Sequence, residues 1–186
     1  MKKLKEIVQI RFGVNGKASV DCDISYIQGK DFDANGQLNN KERFFTPANN
    51  ITERDYLIGG EILFSGKGSR NYAVVWNGEI DNAVASSKFY VLTLISNEIL
   101  PEFLVWYLNS DPVQTKLRII AKGATISNIP KRELQEVKIW TPDVKKQKLI
   151  VNIDKLRKKE KIVRKKISVR NDILIREILS NQIKLK

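Results

Sequence analysis

Residues 66–72, Gly66-Lys67-Gly68-Ser69-Arg70-Asn71-Tyr72, crowd glycines, two cations, a hydroxyl and an amide into one short stretch. The Gly-Lys-Gly-Ser core superficially resembles a loop that cradles phosphate with backbone N–H groups. The spacing fails, because the upstream glycine such a loop needs is Glu61 and Lys67 is followed by Gly68 instead of Ser or Thr. Other reactive groups are missing. The chain has no histidine, which removes the commonest general base and the commonest metal ligand. Its single cysteine, Cys22, can build neither a zinc site nor an intramolecular disulfide, and this suits a reducing cytoplasm. Pro142 and Asp143 are not followed by the Asp/Glu-x-Lys that a nuclease would need. There is no glycine-rich cofactor fingerprint and no Asn/Asp-Pro-Pro-aromatic signature of an amino-methyltransferase. The sequence predicts a binding protein without catalysis, cofactor or metal.

What it binds is constrained by charge. Lys and Arg number 33 against 21 Asp and Glu, a net charge of +12. From Asp143 onward there are 15 basic and 5 acidic residues, a net +10, which leaves only +2 for everything before it. Such asymmetry points to an acidic partner: nucleic acid, an acidic protein or an anionic surface. A merely solvated basic helix would give the same count. No apolar run approaches the roughly 18 residues of a membrane-spanning helix, so no membrane partner is expected. The basic start, Met1-Lys2-Lys3, is followed by no apolar signal core, so no secretion is expected and the location read from it is cytoplasmic.

The elements that would position these residues fall into two parts, residues 1–142 and 143–186. In the first, residues 7–11, 24–28, 61–65, 72–76, 88–95 and 137–140 have the β-branched and aromatic content of short strands. Asn35 with Gly36, and Asn77 with Gly78, mark turns. Pro101 suits a first helical position before Phe103, Leu104, Tyr107 and Leu108 on one side of a helix. Asp111 and Pro112 open a second helix, predicted to run to about Ile120 before Gly123. Pro130 precedes one further helical turn. The first part is therefore an α+β domain, strand-rich early and helical late. Phe64, Trp76, Phe89, Trp106 and Trp140 are assigned to its core.

The second part reads as one long helix without Gly or Pro, capped by Asp143. Lys146 stands where a capping box would want Glu or Gln. Steps of four and three visit Leu149, Ile153, Leu156, Glu160, Val163, Ile167, Arg170, Leu174, Glu177 and Asn181, of which six are apolar. That is a coiled-coil seam. Glu160, Arg170 and Glu177 within it suggest a register device such as an antiparallel Glu–Arg pair, or snorkelling side chains. About 40 residues at about 1.5 Å each make a rod of about 60 Å, and its seam needs a partner.

Five segments, in order, resemble one half of a specificity subunit of a type I restriction–modification system. Ile27-Gln-Gly-Lys-Asp31-Phe is similar to the family's "I-x-x-x-D-I" turn. Leu57-Ile-Gly-Gly-Glu61-Ile-Leu-Phe-Ser-Gly-Lys-Gly-Ser69 resembles "gDil-x-s-x-x-Gs", and residues 100–110 resemble "i-x-p-x-yl-x-yll-n-s". Gly123-Ala-Thr-Ile-Ser-Asn-Ile129 resembles a "G-t-x-x-x-i" turn, and Thr141-Pro-Asp-Val-Lys-Lys-Gln147 looks like a "P-P-s-l-e-e-Q" helix entry. Thr141 replaces the first proline and Lys145 with Lys146 the acidic pair. Family members usually carry two recognition domains and two helices, so this chain is expected to be a natural half-subunit or a fragment.

The resemblance implies a target recognition domain at 1–142 and a spacer helix at 143–186. It implies double-stranded DNA, methyltransferase (modification) subunits and a restriction subunit as partners. A homodimer through Leu149, Ile153, Leu156, Val163, Ile167 and Leu174 would read an interrupted inverted repeat. Lys and Arg suit guanine edges, and Asn and Gln suit adenine. On that basis Lys67, Ser69, Arg70, Asn71 and Tyr72 are the leading DNA-contacting residues, with Lys30 and Arg43 from polar loops. Lys122 and Thr125 from the glycine turn, and Lys131 and Arg132 after it, complete the set. Each of these positions also fits ordinary surface charge. Rival readings are a coiled-coil adaptor that binds protein, and the specificity fragment of a fused methyltransferase–nuclease.

Overall fold

The computed structural model describes residues 1–16, 24–33, 35–39, 45–47, 51–68, 71–122 and 128–184. It falls into two compact units, Met1–Lys148 and Leu149–Lys186. The first is built on three small sheets. Strands β1 (Lys2–Lys3), β2 (Val8–Phe12), β3 (Ile24–Ile27), β4 (Phe45–Thr46), β5 (Ile62–Ser65), β6 (Ala73–Val75), β7 (Ala83–Ala85), β8 (Phe89–Leu94) and β9 (Lys138–Ile139) supply them. The largest is antiparallel, in the order β2-β8-β5-β6. A second runs β4-β3-β7, with β3 antiparallel to β4 and parallel to β7. The third pairs β1 with β9, Lys2 opposite Ile139.

Ile27, Leu63, Val74, Trp76, Ala83, Ala85, Phe89 and Val91 interlock as one buried cluster fed by both larger sheets. β5 is buried on both faces, so it reads as a continuous apolar run, Ile62-Leu63-Phe64, without polar alternation. Helix α1 (Pro101–Leu108) buries Phe103, Leu104 and Leu108, the i, i+1, i+5 positions of one helical face. α2 (Asp111–Lys122) buries Val113, Leu117 and Ala121 at four-residue spacing. The Gln114 N–H bonds the Ser110 carbonyl, so Ser110 takes the capping place and Asp111 is the first helical residue. α3 (Lys131–Gln135) is the short turn expected after Pro130.

Phe64, Trp76 and Phe89 are fully enclosed, as expected of core aromatics. Trp106 and Trp140 are only half-buried, in a ring cluster with Phe103, and the Lys146 ammonium lies 5.1 Å from the Trp140 centroid.

Side-chain amides and carboxylates finish the backbone where strands and helices stop. Asn109 Oδ1 accepts the Ala73 N–H and its Nδ2 donates to the Ala73 carbonyl, both at 2.8 Å, so one amide pairs the open edge of β6 like a further strand. Glu61, buried inside the unit, accepts from Arg11 (2.8 Å), from the Ile58 N–H (3.0 Å) and from Thr93 Oγ1 (2.7 Å). Arg11 also donates to the Asp55 and Tyr56 carbonyls. Together they fix the approach to β5.

Helix α4 (Val144–Lys184) begins as the sequence predicts. Asp143 Oδ1 accepts the Lys146 N–H at 2.9 Å, and its carbonyl accepts the Gln147 N–H at 3.1 Å. The first turn is held inside the first unit by Gln147, which is wholly buried. Its Oε1 accepts the Leu100 N–H (2.9 Å), and its Nε2 donates to the Glu98 (2.7 Å) and Pro142 (2.8 Å) carbonyls.

The second unit is the remainder of α4. All six seam residues are exposed, from 46% at Val163 to 67% at Leu156. Glu160 pairs with Arg164 on its own helix at 2.8 Å, so an interhelical Glu160–Arg170 pair would have to displace that bond. Asp154 likewise holds Arg157 and Lys158. Toward the C-terminal end Val169, Ile173, Ile178, Leu179 and Ile183 are exposed off the predicted seam. Apolar surface there is broader than a strict four-three repeat accounts for.

Candidate nucleic-acid interface

The β5–β6 hairpin carries the loop that begins at Gly66. Gly66 N–H bonds the Lys88 carbonyl at 3.1 Å, and its own carbonyl accepts the Ile129 N–H at 2.8 Å. A Cβ at Gly66 would run into the ring of Tyr90, so only glycine lets the loop pass this close. Tyr90 donates its hydroxyl to the Ile129 carbonyl at 2.8 Å, and burial pushes that phenol up from its ordinary pKa of 10.0. Beside this crossing, Lys67 forms an isolated antiparallel bridge with Asn128. The hairpin loop and the end of the glycine turn, far apart in sequence, are thus joined backbone to backbone.

The other side of the loop reaches the Gly29–Asp31 turn. Tyr72 donates its hydroxyl to the Gly29 carbonyl at 2.8 Å and sets its ring edge-on to Phe89 at 6.3 Å. Lys30 is exposed at the middle of that turn. Asp31 closes it by accepting the Gln28 N–H at 2.7 Å; burial pushes the Asp31 carboxyl above its ordinary pKa, against the pull of that N–H and of Lys30. Asn71 donates to the Ser65 carbonyl at 2.9 Å. Lys131 donates to the Ile10 carbonyl at 2.7 Å, and Arg132 beside it is exposed.

The structure therefore brings Lys30, Lys67, Asn71, Tyr72 and Lys131 from three separate segments into one connected rim, and Arg132 follows Lys131 at the start of α3. Asn71, Tyr72 and Lys131 direct polar atoms to the protein's own backbone, so they shape the rim. Lys30 and Arg132 are exposed. Lys122 is the last residue of α2. Arg43, Ser69, Arg70 and Thr125 lie outside the described residues. Two positions at this end of the sheet that sequence reasoning did not single out are Phe12 and Lys88. Their only sequence signal is local, an aromatic next to Gly13 and a lysine opening a strand.

Among the described residues no group of three or more His, Cys, Asp or Glu could hold a metal ion, and no helix is long and apolar enough to cross a membrane. The surface is one of cations, amides and backbone dipoles, and what it can do chemically is hydrogen-bond and neutralise an anion.

A family model described as the type I restriction modification DNA specificity domain matches residues 1–169. The chain belongs to that family. Solved specificity subunits share its fold. The S subunit of a type I restriction–modification system from M. genitalium superposes with a TM-score of 0.57 at 20% identity, covering 82% of this chain and 37% of that one. The HsdS subunit from Thermoanaerobacter tengcongensis gives 0.65 at 17% identity, covering 88% and 43%. A chain from a structure described as the basis of complex assembly and conformational transition of the type I R-M system gives 0.62 at 19% identity, covering 84% and 37%. This chain thus spans about two-fifths of the length of the specificity subunits it matches. No curated protein matches it in sequence.

Membership gives the motif residues a physical meaning. Glu61 of the "gDil"-like segment, Asn109 of the "n-s" helix end and Gln147 of the helix entry each make two or more hydrogen bonds to segments distant in sequence. They hold the scaffold on which the rim is carried.

Proposed function

We propose that this chain is the DNA-reading module of a type I restriction–modification complex and works as a two-fold homodimer. Family membership over residues 1–169 carries the DNA reading. Lys30, Lys67 and Lys131, carried on two turns and the start of α3, support it, because basic residues gathered in this way suit phosphate and guanine contacts. Catalysis is assigned to methyltransferase and restriction subunits. The dimer is supported by the six exposed seam residues of α4, which an antiparallel copy would bury. Two-fold symmetry then requires an inverted repeat with an unread gap. A helix of 41 residues spans about 60 Å, or roughly 17 base pairs, an upper scale for the separation of the two halves.

The deciding experiment maps methylated bases in a host that expresses this chain with its methyltransferase subunit. A split palindrome is expected. An asymmetric site would demand a second, different recognition domain, and an unchanged methylation pattern would end the reading. Light scattering that shows a monomer at micromolar concentration, with and without DNA, would remove the homodimer.

A further inference from the structure

Three strands of the large sheet end at the same place. Phe12 closes β2, Ser65 closes β5 and Phe89 opens β8, and the register sets Phe12 opposite Tyr90 and Ser65 opposite Phe89. Lys88 precedes β8 and is exposed; its carbonyl holds Gly66, the residue before Lys67. Gly13 N–H bonds the Phe89 carbonyl at 3.0 Å. Phe12, Lys88 and Lys67 are therefore carried on neighbouring strand ends of one sheet.

Phe12 departs from the pattern of its own strand. Val8, Ile10 and Phe12 share a face of β2, and Val8 and Ile10 are buried at 3% and 7% exposure whereas Phe12 is 53% exposed. Tyr90 covers one side of the ring at 5.2 Å between centroids and 52°. The Lys131 ammonium sits 5.5 Å from the ring centroid and is itself held by the Ile10 carbonyl. The ring is thus fixed in place by an aromatic and a cation and still presents bare carbon to solvent. An apolar ring held by Lys131, on a sheet end that also carries Lys67 and Lys88, matches a surface on which apolar patches alternate with anions. A DNA groove, with thymine methyls and sugars between phosphates, is such a surface.

We propose that Phe12 and Lys88 form a contact to double-stranded DNA that extends the loop rim: Lys88 neutralises a backbone phosphate and Phe12 packs on an apolar base edge, a thymine methyl in the major groove. Lys131 is a positioning residue that holds the ring. The proposal rests on the DNA reading above and adds a sequence-sensing residue to it.

The test uses the full chain and a duplex that the wild-type protein selects from a randomised pool, titrated beside a scrambled duplex at several salt concentrations. Phe12→Ala is expected to weaken the selected duplex about tenfold and to leave the scrambled one unchanged. Lys88→Ala is expected to weaken both and to reduce the salt slope by about one counterion. Replacing a thymine of each half-site with uracil, which removes only the methyl, should weaken the wild type at one position and leave Phe12→Ala indifferent. Thermal unfolding of both variants checks the fold, and Phe12→Leu, which keeps an apolar contact to Tyr90, replaces Phe12→Ala should the latter unfold. Wild-type affinity and selectivity in the Phe12 variant, or a wild-type salt slope in Lys88→Ala, would overturn the proposal. A wild-type chain that selects no duplex at all is a different result, and it would overturn the DNA reading beneath.

Discussion

In the first unit several strong polar groups are answered by distant segments of the same unit, while the described ion pairs of the second join neighbours on one helix. Glu61 is satisfied by Arg11, Thr93 and the Ile58 N–H, Gln147 by three backbone groups, and Glu136 by Lys3 and Lys5. Along α4 beyond Lys148 the ion pairs are local i,i+3 and i,i+4 contacts, and six apolar seam positions stay open. Bonds of the first kind make a unit held together from within. An open apolar seam makes one whose order depends on association, because a helix in water gains most of its stability from what it packs on. The two regions should therefore respond to different perturbations.

The largest effect is expected where the comparison is sharpest. Placing Asp at both Ile153 and Ile167 should weaken self-association about a thousandfold, since each buried carboxylate would lack a partner. Sedimentation equilibrium reads this, and the unfolding midpoint of the first unit should stay put. A shift in that midpoint would blur the division between the regions. Next is Gln147→Leu, which strips partners from the Leu100 N–H and the Glu98 carbonyl and should cost ~3 kcal/mol in denaturant unfolding. Glu61→Gln should cost about 2 kcal/mol, less than a fully buried pair because Arg11 is partly solvated. Asn109→Ala, which reopens the β6 edge, should cost about 1 kcal/mol.

The smallest effect is a pH dependence. Hydrogen bonds from Lys3 and then Lys5 hold the Glu136 carboxyl down, from an ordinary 4.5 to about 2. A carboxyl lowered in the folded state stabilises fully above its unfolded pKa, and that contribution fades as pH falls from about 4.5 to about 2. The difference in unfolding midpoint between wild type and Glu136→Gln should shrink across that window. Because the pair is solvent-exposed, the difference is small even at neutral pH. A constant difference at all pH values would show that Lys3 and Lys5 do not hold this carboxylate in solution.

The sequence made some of this legible and hid the rest for identifiable reasons. The β5–β6 hairpin stood out because Ile62 to Phe64 and Ala73 to Val75 are flanked by glycines and polar residues. The cap of α4 was visible in Asp143, and α1 in Pro101 and its apolar face. β7 went unread. Ala83-Val84-Ala85 is short and alanine-rich, with poor intrinsic strand preference, and it is a strand only because it pairs in parallel with the distant β3. β1, two residues long, also went unread; it is a strand only as the partner of β9, which the sequence does predict within 137–140. The rim was half legible: Lys67, Asn71 and Tyr72 advertised themselves by composition. Phe12 and Lys88 did not, because what distinguishes them is the meeting of three strand ends, which no local window contains. Gln147 appeared only as a letter in a motif, and nothing local says that a glutamine in a basic helix is wholly buried.

The pairing of β1 with β9 has a topological consequence. Paired strands bring Lys2 and Ile139 to within about 5 Å of each other across the ladder. The stretch between Lys3 and Lys138 is therefore a closed circuit: it leaves from one ladder and comes back to the same ladder. A change of length or sequence inside that circuit leaves both of its ends where they are.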